Sequence, residues 1–174
     1  MMAVHNGSPF LGVAVDSILQ QTYRDFQFLI VDDASTDDSR EIIRSYEDSR
    51  IVLNCLEHNI GQTAALNIGL RQASTRWIAR MDADDYAAST RLEEQMFVLE
   101  ADGSLGCVGT FAWLFRDDPQ VVERIITPPT DYVEIKRASL SEIALIHGCI
   151  IVMMFLICTV IKMMFFIHAC ITST

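Results

Sequence analysis

The sequence has few basic residues, with 13 Lys and Arg against 23 Asp and Glu, which gives a formal net charge of -10. A protein that binds nucleic acid needs a basic patch or stripe to neutralise phosphates, so this balance argues against a nucleic-acid partner. The surplus of carboxylates instead suits a protein that recruits cations. At 174 residues the chain is about one domain long, which is enough to bury a hydrophobic core.

Paired cysteines and a leader sequence are also lacking. The five cysteines are an odd number and form no C-x-x-C pair, so neither a zinc site nor a disulfide framework is predicted. Free thiols in a reducing compartment are the expectation. Residues 1–7 contain neither the basic n-region nor the apolar h-region of a signal peptide. We therefore expect a cytoplasmic protein.

Acidic residues are absent beyond Glu142, and the composition changes there. Within residues 143–167 the only formally charged side chain is Lys162, and these 25 residues are long enough to span a bilayer. The position of Lys162 inside the segment, and the lack of a basic cluster at either end, weaken a membrane interpretation. A buried core segment is the alternative.

This change in composition divides the chain. We predict one domain over residues 1–142 and an apolar segment over residues 143–174. The first interpretation of the segment is a transmembrane or interfacial helix over residues 143–167. Such a helix would hold the protein at the inner face of the cell membrane.

Apolar runs alternate with amphipathic stretches over the first part of the chain. Runs rich in β-forming residues predict strands at 26–31, 51–56, 77–81 and 106–115. Helical spacing and capping residues predict helices at 8–21, after 35–38, at 62–73 and at 90–102. Short links give the order βαβαβαβ, which predicts parallel strands and right-handed crossovers. Only residues 1–4 precede the Asn6-Gly7 turn signal before the first helix, so we expect the strand that leads into this helix to be cut short.

Carboxylates follow two of these strands. Asp32-Asp33 ends the strand 26–31, and Asp82-Ala83-Asp84-Asp85 follows the strand 77–81. The carboxyl ends of parallel strands meet at the edge where open α/β sheets bind ligands. Crowded carboxylates repel one another unless a cation lies among them, and Mg2+ or Mn2+ prefers oxygen ligands. The pattern indicates a metal-diphosphate site, and a solvated acidic turn is the simpler alternative. Asp37-Asp38 fits helix caps better than ligands.

Five short motifs occur in order along the chain. They are Asn6-Gly7, Ser17 to Phe26, Ile30 to Asp37, Asn59-Ile60-Gly61 with Asn67 to Leu70, and Ala79 to Asp85. Together they resemble the inverting family 2 glycosyltransferases of the GT-A fold, over residues 1–115 and more loosely to Val152. The resemblance implies a Rossmann-like, mostly parallel sheet flanked by helices. It also implies an enzyme that transfers a sugar from a nucleotide-diphospho-sugar donor to a glycan or lipid acceptor.

The resemblance implies roles for individual residues. Ala3 occupies the nucleotide-contacting position at the end of the first strand, and Asp33 matches the aspartate that hydrogen-bonds the base. Asp82 faces the ribose or sugar of the donor. Asp84 ligates the Mg2+ or Mn2+ ion that bridges the diphosphate, and that ion acts as a Lewis acid on the departing nucleoside diphosphate.

An inverting transferase also needs a general base for the acceptor hydroxyl. The resemblance places that carboxylate after residues 146–150, where this sequence has no Asp or Glu. We therefore expect a chain whose catalytic-base half is missing, from a truncated or frame-disturbed gene, and whose activity is lost or impaired. A donor-binding domain without turnover is the alternative that keeps the fold.

A phosphoacceptor receiver domain is the alternative of a different class. Asp32-Asp33 after one strand, and Asp82 or Asp84 after another, resemble the acid pair and the acceptor aspartate of receivers. Two features argue against it. A helix precedes the strand that bears the acid pair, and Lys136 lies in a polar helical stretch rather than after a strand.

Overall fold

The computed structural model describes residues 1–114, 121–130, 134 and 151–153. The strands are β1 (Met2–Val4), β2 (Phe28–Asp32), β3 (Ile51–Cys55), β4 (Trp77–Ala79), β5 (Cys107–Val108), β6 (Ala112–Leu114), β7 (Arg124–Ile126) and β8 (Ile151–Met153). The helices are α1 (Ser8–Leu19), α2 (Ser39–Arg44), α3 (Gln62–Gln72) and α4 (Arg91–Ala101). Strands and helices thus alternate through α4, as predicted.

The first three strands form a parallel sheet in the order β1-β2-β3. Met2 pairs with Ile30 on one side of β2, and Phe28 pairs with Ile51 on the other. All five residues of β2 are buried. A parallel strand covered by helices on both faces has this near-continuous apolar sequence, which is why β2 was predictable.

Two backbone hydrogen bonds join β1 to β4. The Met1 amino group donates to the Ala79 carbonyl at 2.7 Å, and the Met81 amide donates to the Met1 carbonyl at 3.2 Å. These bonds flank Arg80, the residue immediately after β4, which is the pattern of a parallel ladder. The strand that feeds α1 is therefore present but short, and it lies between β2 and β4.

β8 is an antiparallel strand between β4 and β5. Val152 pairs with Ile78 on one side and with Cys107 on the other. With the junction at Met1, the strand order becomes β3-β2-β1-β4-β8-β5. The prediction of a mostly parallel sheet is confirmed, whereas the single strand predicted over 106–115 is wrong. That stretch divides into β5 and β6, and β6 pairs instead with β7.

The apolar segment departs from its prediction where it can be followed. Ile151–Met153 is a strand rather than part of a helix. Its two β-branched residues favour a strand, and the edges of β4 and β5 supply pairing partners for its backbone groups. Among the described residues, none of the helices has the length and apolar character needed to cross a bilayer. The remainder of residues 143–167 lies outside the described part of the chain.

Helices cover both faces of the sheet. On one face α1 buries Leu11, Val15 and Ile18. The helical spacing of Phe10, Val13, Ala14 and Ile18 predicts a single apolar face for α1. That prediction is partly wrong, because Phe10 and Val13 are 58% and 55% exposed.

On the other face, α3 approaches the sheet through a glycine. A Cβ added at Gly69 would lie 3.3 Å from Val31 Cγ2 and 2.8 Å from the Met1 sulfur. Only a residue without a side chain allows the helix to pack this close to β1 and β2.

Candidate functional site

The carboxyl ends of β1, β2 and β4 lead into loops at one edge of the sheet. Gly7, in the loop after β1, packs against the acidic loop after β4, since a Cβ built there would lie 3.6 Å from Ala83 Cβ. The acidic loop is thus held next to the start of α1. The meeting of these loops, predicted from the parallel arrangement of the strands, is confirmed.

Asp33 follows β2 and anchors the turn that begins α3. Its Oδ1 accepts the Ile60 amide and its Oδ2 accepts the Gly61 amide, each at 2.8 Å. Its side chain is buried, and the residue is only 2% exposed. Gly61 has a φ of 86°, in the left-handed region that favours glycine, and is the N-cap residue of α3. The contact of Asp33 with a nucleotide base stays a prediction, and the structure adds a second, structural role.

Asp82 lies beside the same helix start. Its Oδ1 accepts from Gln62 Nε2 at 3.1 Å and from an Arg80 guanidinium nitrogen at 2.7 Å. Gln62 is the first residue of α3 and follows Gly61, which Asp33 holds. The amino end of α3 therefore bridges the two acidic loops that the sequence singled out.

Asp84 is exposed, and within the described part of the chain it has no hydrogen bond or ion pair. Asp85, the next carboxyl group, lies close to Asp82 and Asp84. Desolvation and the negative charges of these two residues raise the pKa of Asp85. A cation bound at this loop would relieve that repulsion.

The carboxylate oxygens of this loop suit a hard cation that also binds a phosphate of a ligand. No group of three His, Cys, Asp or Glu side chains that could hold a metal occurs among the described residues. Mg2+ is usually held by one or two carboxylates together with substrate phosphates, so an exposed Asp84 suits that kind of site. The role of Asp84 as the metal ligand nevertheless stays a prediction.

Ala3 lies inside the sheet. It pairs with Val31 on β2, is 8% exposed, and packs in a cluster with Val31 and Ala65 of α3. Ala3 is the middle residue of β1 rather than its last, and its contact with a nucleotide stays a prediction.

A hydrogen-bonded network between the β1 and β2 loops was missed by the sequence analysis. The Asn6 amide donates to Ser35 Oγ at 3.0 Å, and the Thr36 amide donates to Asn6 Oδ1 at 2.8 Å. Asn6 and Ala34 have φ values of 53° and 56°, a strained conformation that the surrounding bonds must hold. An Asn before Gly was the available signal, because Asn tolerates this conformation. Nothing in the sequence indicates the positive φ of Ala34.

Asp37 bonds to the starts of two helices, whereas the sequence predicted a cap only for the helix that follows it. Its Oδ1 accepts the Ser39 amide at the start of α2, and its Oδ2 accepts the Ser8 amide at the start of α1, each at 3.0 Å. Burial opposes the charged form, but hydrogen bonds from Ser39 and Ser8 outweigh it and lower the pKa of Asp37. Asp38 occupies the N-cap position of α2 without a side-chain cap bond.

Comparison with known proteins identifies the family. The sequence model described as glycosyl transferase family 2 matches residues 1–160, and the chain belongs to that family. The Escherichia coli protein WfaP, named as a UDP-Glc:alpha-D-GlcNAc-diphosphoundecaprenol beta-1,3-glucosyltransferase, is 36% identical over 104 residues, which cover 59% of this chain and 41% of WfaP. WbnJ, an O-antigen biosynthesis glycosyltransferase of Escherichia coli, is 36% identical over 135 residues, which cover 74% of this chain and 51% of WbnJ. The chain spans about half the length of the curated relatives it matches.

The fold agrees with this assignment. The mannosyltransferase PcManGT from Pyrobaculum calidifontis, in complex with GDP-Man and Mn2+, superposes with a TM-score of 0.66 at 22% identity, covering 91% of this chain and 45% of that one. The fold is therefore similar to that of GT-A glycosyltransferases. The receiver-domain alternative is wrong, because the acid pair follows the second strand of the chain and the family is a different one.

Proposed function

We propose that this chain binds a nucleotide-diphospho-sugar across the carboxyl edge of β1, β2 and β4, as the donor-binding part of an inverting glycosyltransferase. The observation that carries the proposal is the shared start of α3. Asp33 holds the amides of Ile60 and Gly61, and Asp82 accepts from Gln62, so both acidic loops are fixed around one helix end. Such preorganisation suits a ligand that must contact both loops at once.

Each loop has a part in this proposal. The β1 and β2 loops, with Ala3 and Asp33, take the nucleotide, while Asp82 faces the ribose or the sugar. Asp84 would hold the Mg2+ or Mn2+ ion, which when bound would neutralise charge developing on the departing nucleoside diphosphate. Arg80 holds the Asp82 carboxylate in place through its ion pair, at 2.7 Å.

Similarity suggests the donor and acceptor classes to test first. The name of WfaP describes transfer from UDP-Glc to a lipid-linked sugar, and that of WbnJ places it in O-antigen biosynthesis. We therefore propose a UDP-sugar as the first donor to test and a glycan or lipid-linked sugar as the acceptor. The product would be part of a cell-envelope polysaccharide. This reaction would place the protein in the cytoplasm, at the inner face of the membrane when the acceptor is a lipid.

The donor assignment is tested with a panel of nucleoside diphosphates. At saturating Mn2+, a ligand present at about 100 times its Kd stabilises the folded state by about 2.7 kcal/mol, which corresponds to roughly 5–10 °C in Tm for a chain of this size. We expect UDP to give such a shift and ADP to give less. Equal shifts for UDP, GDP, dTDP and ADP would contradict the choice of a UDP-sugar, and no shift with any of them would contradict a nucleotide site.

A second part of the proposal concerns turnover. The sequence has no Asp or Glu after Glu142, where the family resemblance requires the general base. General-base assistance contributes about 10²–10⁴-fold, so we propose that the 174-residue chain binds donor but transfers sugar slowly. Glycosyl transfer by the purified chain at roughly 1 per second or faster, an ordinary enzymatic rate, would show that it needs no such carboxylate.

A further inference from the structure

Hydrogen bonds join the end of α1 to the residues that follow the acidic loop, 67–71 positions later in the chain. Ser17 Oγ accepts the Ala87 amide at 3.1 Å. Gln21 Nε2 donates to the Ala88 carbonyl at 2.7 Å, and Gln21 Oε1 accepts the Leu92 amide at 2.9 Å. The end of α1 is therefore tied by side chains to the backbone between the acidic loop and α4.

Thr22 adds two bonds at the surface. Its amide donates to the Ser89 carbonyl at 2.8 Å, and its hydroxyl donates to Glu93 Oε2 at 2.7 Å. We call three residues the α1 clamp: Ser17, Gln21 and Thr22. All three belong to the second of the five motifs in the sequence, which has no role in the proposed function.

Most of the clamp is polar although it lies in the interior. Ser17 and Gln21 are 3% and 0% exposed, and a buried polar side chain costs free energy unless it is hydrogen-bonded. The backbone of residues 87–89 belongs to neither a helix nor a strand, so its buried polar groups need partners elsewhere. The clamp supplies those partners. The position of this segment therefore depends on the clamp and not on apolar packing alone.

The clamp also supplies a cap that α4 lacks. Thr90 occupies the N-cap position of α4 and makes no side-chain cap bond. The Leu92 amide is one of the first amides of the helix, which have no partner inside it, and it donates to Gln21 instead. Arg91, the first residue of α4, donates to the Arg80 carbonyl at 2.8 Å. The start of α4 is thus held by α1 on one side and by the end of β4 on the other.

Asp84 lies between two anchored residues. Asp82, before it, accepts hydrogen bonds from two side chains, and Ala87, after it, donates to Ser17. Only residues 83–86 connect these anchors, and within the part of the chain that the structure describes Asp84 makes no bond of its own. The two anchors therefore decide where the Asp84 carboxylate lies.

We propose that the α1 clamp is a positioning element for the metal site, which fixes the far end of the acidic loop so that Asp84 presents its carboxylate in one place. This inference rests on the proposed function, because the ion is the one that Asp84 would hold beside a donor diphosphate. Residues that orient metal ligands typically contribute about 10–100-fold to metal affinity. The clamp bonds to the backbone beyond the loop, so its loss should weaken metal binding and leave the nucleotide contacts of the β1 and β2 loops intact.

The main test variant is Gln21→Met, which removes all three side-chain bonds of Gln21 and keeps a side chain of similar length. Mn2+ is titrated at a fixed concentration of UDP, and bound UDP is measured by equilibrium dialysis. The Mn2+ concentration that gives half-maximal UDP binding should rise by about 10–100-fold, while the amount bound at saturating Mn2+ stays the same. A general loss of folded protein would instead lower that amount.

Ser17→Ala is a milder variant that keeps the proposal testable if Gln21→Met does not fold. Alanine favours the helix, and only one bond to the loop segment is lost, so the Mn2+ midpoint should rise by about 3- to 10-fold. Ile43→Ala is the control, because it leaves a cavity under α2 and destabilises the fold without removing a bond to the loop. Its Mn2+ midpoint should equal that of the parent.

Hydrogen exchange supplies a readout that needs no ligand. Gln21→Met should speed exchange of the Ala87 and Leu92 amides selectively, whereas Ile43→Ala should not single them out. Exchange at these two amides that matches the parent would overturn the proposal. So would Mn2+ midpoints that equal the parent's in both clamp variants, or a shift that Ile43→Ala reproduces, and either result would leave donor binding standing. A parent chain that binds no UDP at any Mn2+ concentration would contradict the proposed function, and this inference with it.

Discussion

The two edges of this sheet are built by different means. At the carboxyl edge, side chains bond to the backbone of neighbouring loops, as Asn6 does with Thr36 and Asp33 does with Gly61. At the amino edge, a cavity of about 600 Å³ separates β2 from β4. The loops of the proposed donor site are therefore held by polar bonds, whereas the opposite edge is held by packing and ladder bonds.

The largest expected effect comes from removing β8, since β4 contributes to both edges and pairs with β8. A chain ending at Met153 keeps this strand, whereas a chain ending at Glu142 loses its pairing with β4 and β5. Several backbone hydrogen bonds, each worth about 0.5–1.5 kcal/mol net, are lost, so we expect the shorter chain to be less stable by about 3–6 kcal/mol. Urea unfolding measures the difference, and equal midpoints would show that β8 does not hold β4 in place.

Asp33→Asn should weaken the carboxyl edge alone. The substitution replaces one carboxylate oxygen with a donor that faces a backbone amide, so a buried charge-assisted pair of bonds is broken. We expect a loss of about 2–3 kcal/mol in the free energy of unfolding, measured by urea titration. Asp38→Asn is the matched control, because Asp38 is exposed and makes no cap bond. Equal losses for the two variants would mean that Asp33 does not anchor the α3 turn.

Asp37→Asn should have a smaller effect, of about 1 kcal/mol, as is typical for a lost N-cap. The effect should depend on pH. Since the pKa of Asp37 is lower in the folded protein than its ordinary value, its contribution is complete at neutral pH and is lost as pH falls. The stability difference between the parent and the variant should stay constant from about pH 8 to pH 5 and shrink below that. A difference that is unchanged at pH 3 would argue that the Asp37 charge is irrelevant to both caps.

The residues that the sequence revealed are those whose chemistry is local. The apolar run that forms β2 and the acidic residues after β2 and β4 have short-range signatures, so the alternation of strands and helices and the meeting of the acidic loops were predictable. The sequence allowed the acidic loop to be placed at the edge of the sheet. It did not allow the bond between Gln62 and Asp82 to be predicted, because these residues are 20 positions apart.

Other features depend on partners distant in sequence. β8 lies in a segment whose composition suits a membrane helix equally well, and only the free edges of β4 and β5 decide its conformation. On α1, Phe10 and Val13 satisfy helical spacing but lie outside the face that the sheet covers. Periodicity indicates that a helix forms, whereas the position of its neighbours decides which face is buried.

The central claim, that the acidic loop after β4 holds a metal-bound nucleotide diphosphate, is tested most directly by calorimetric titration of UDP into the chain with Mn2+. We expect binding that EDTA abolishes and that Asp84→Ala weakens by about 2–4 kcal/mol, roughly 30- to 1,000-fold in Kd, while Asp38→Asn leaves it unchanged. Binding of equal strength with and without metal, or an Asp84→Ala variant that binds as the parent does, would contradict the claim.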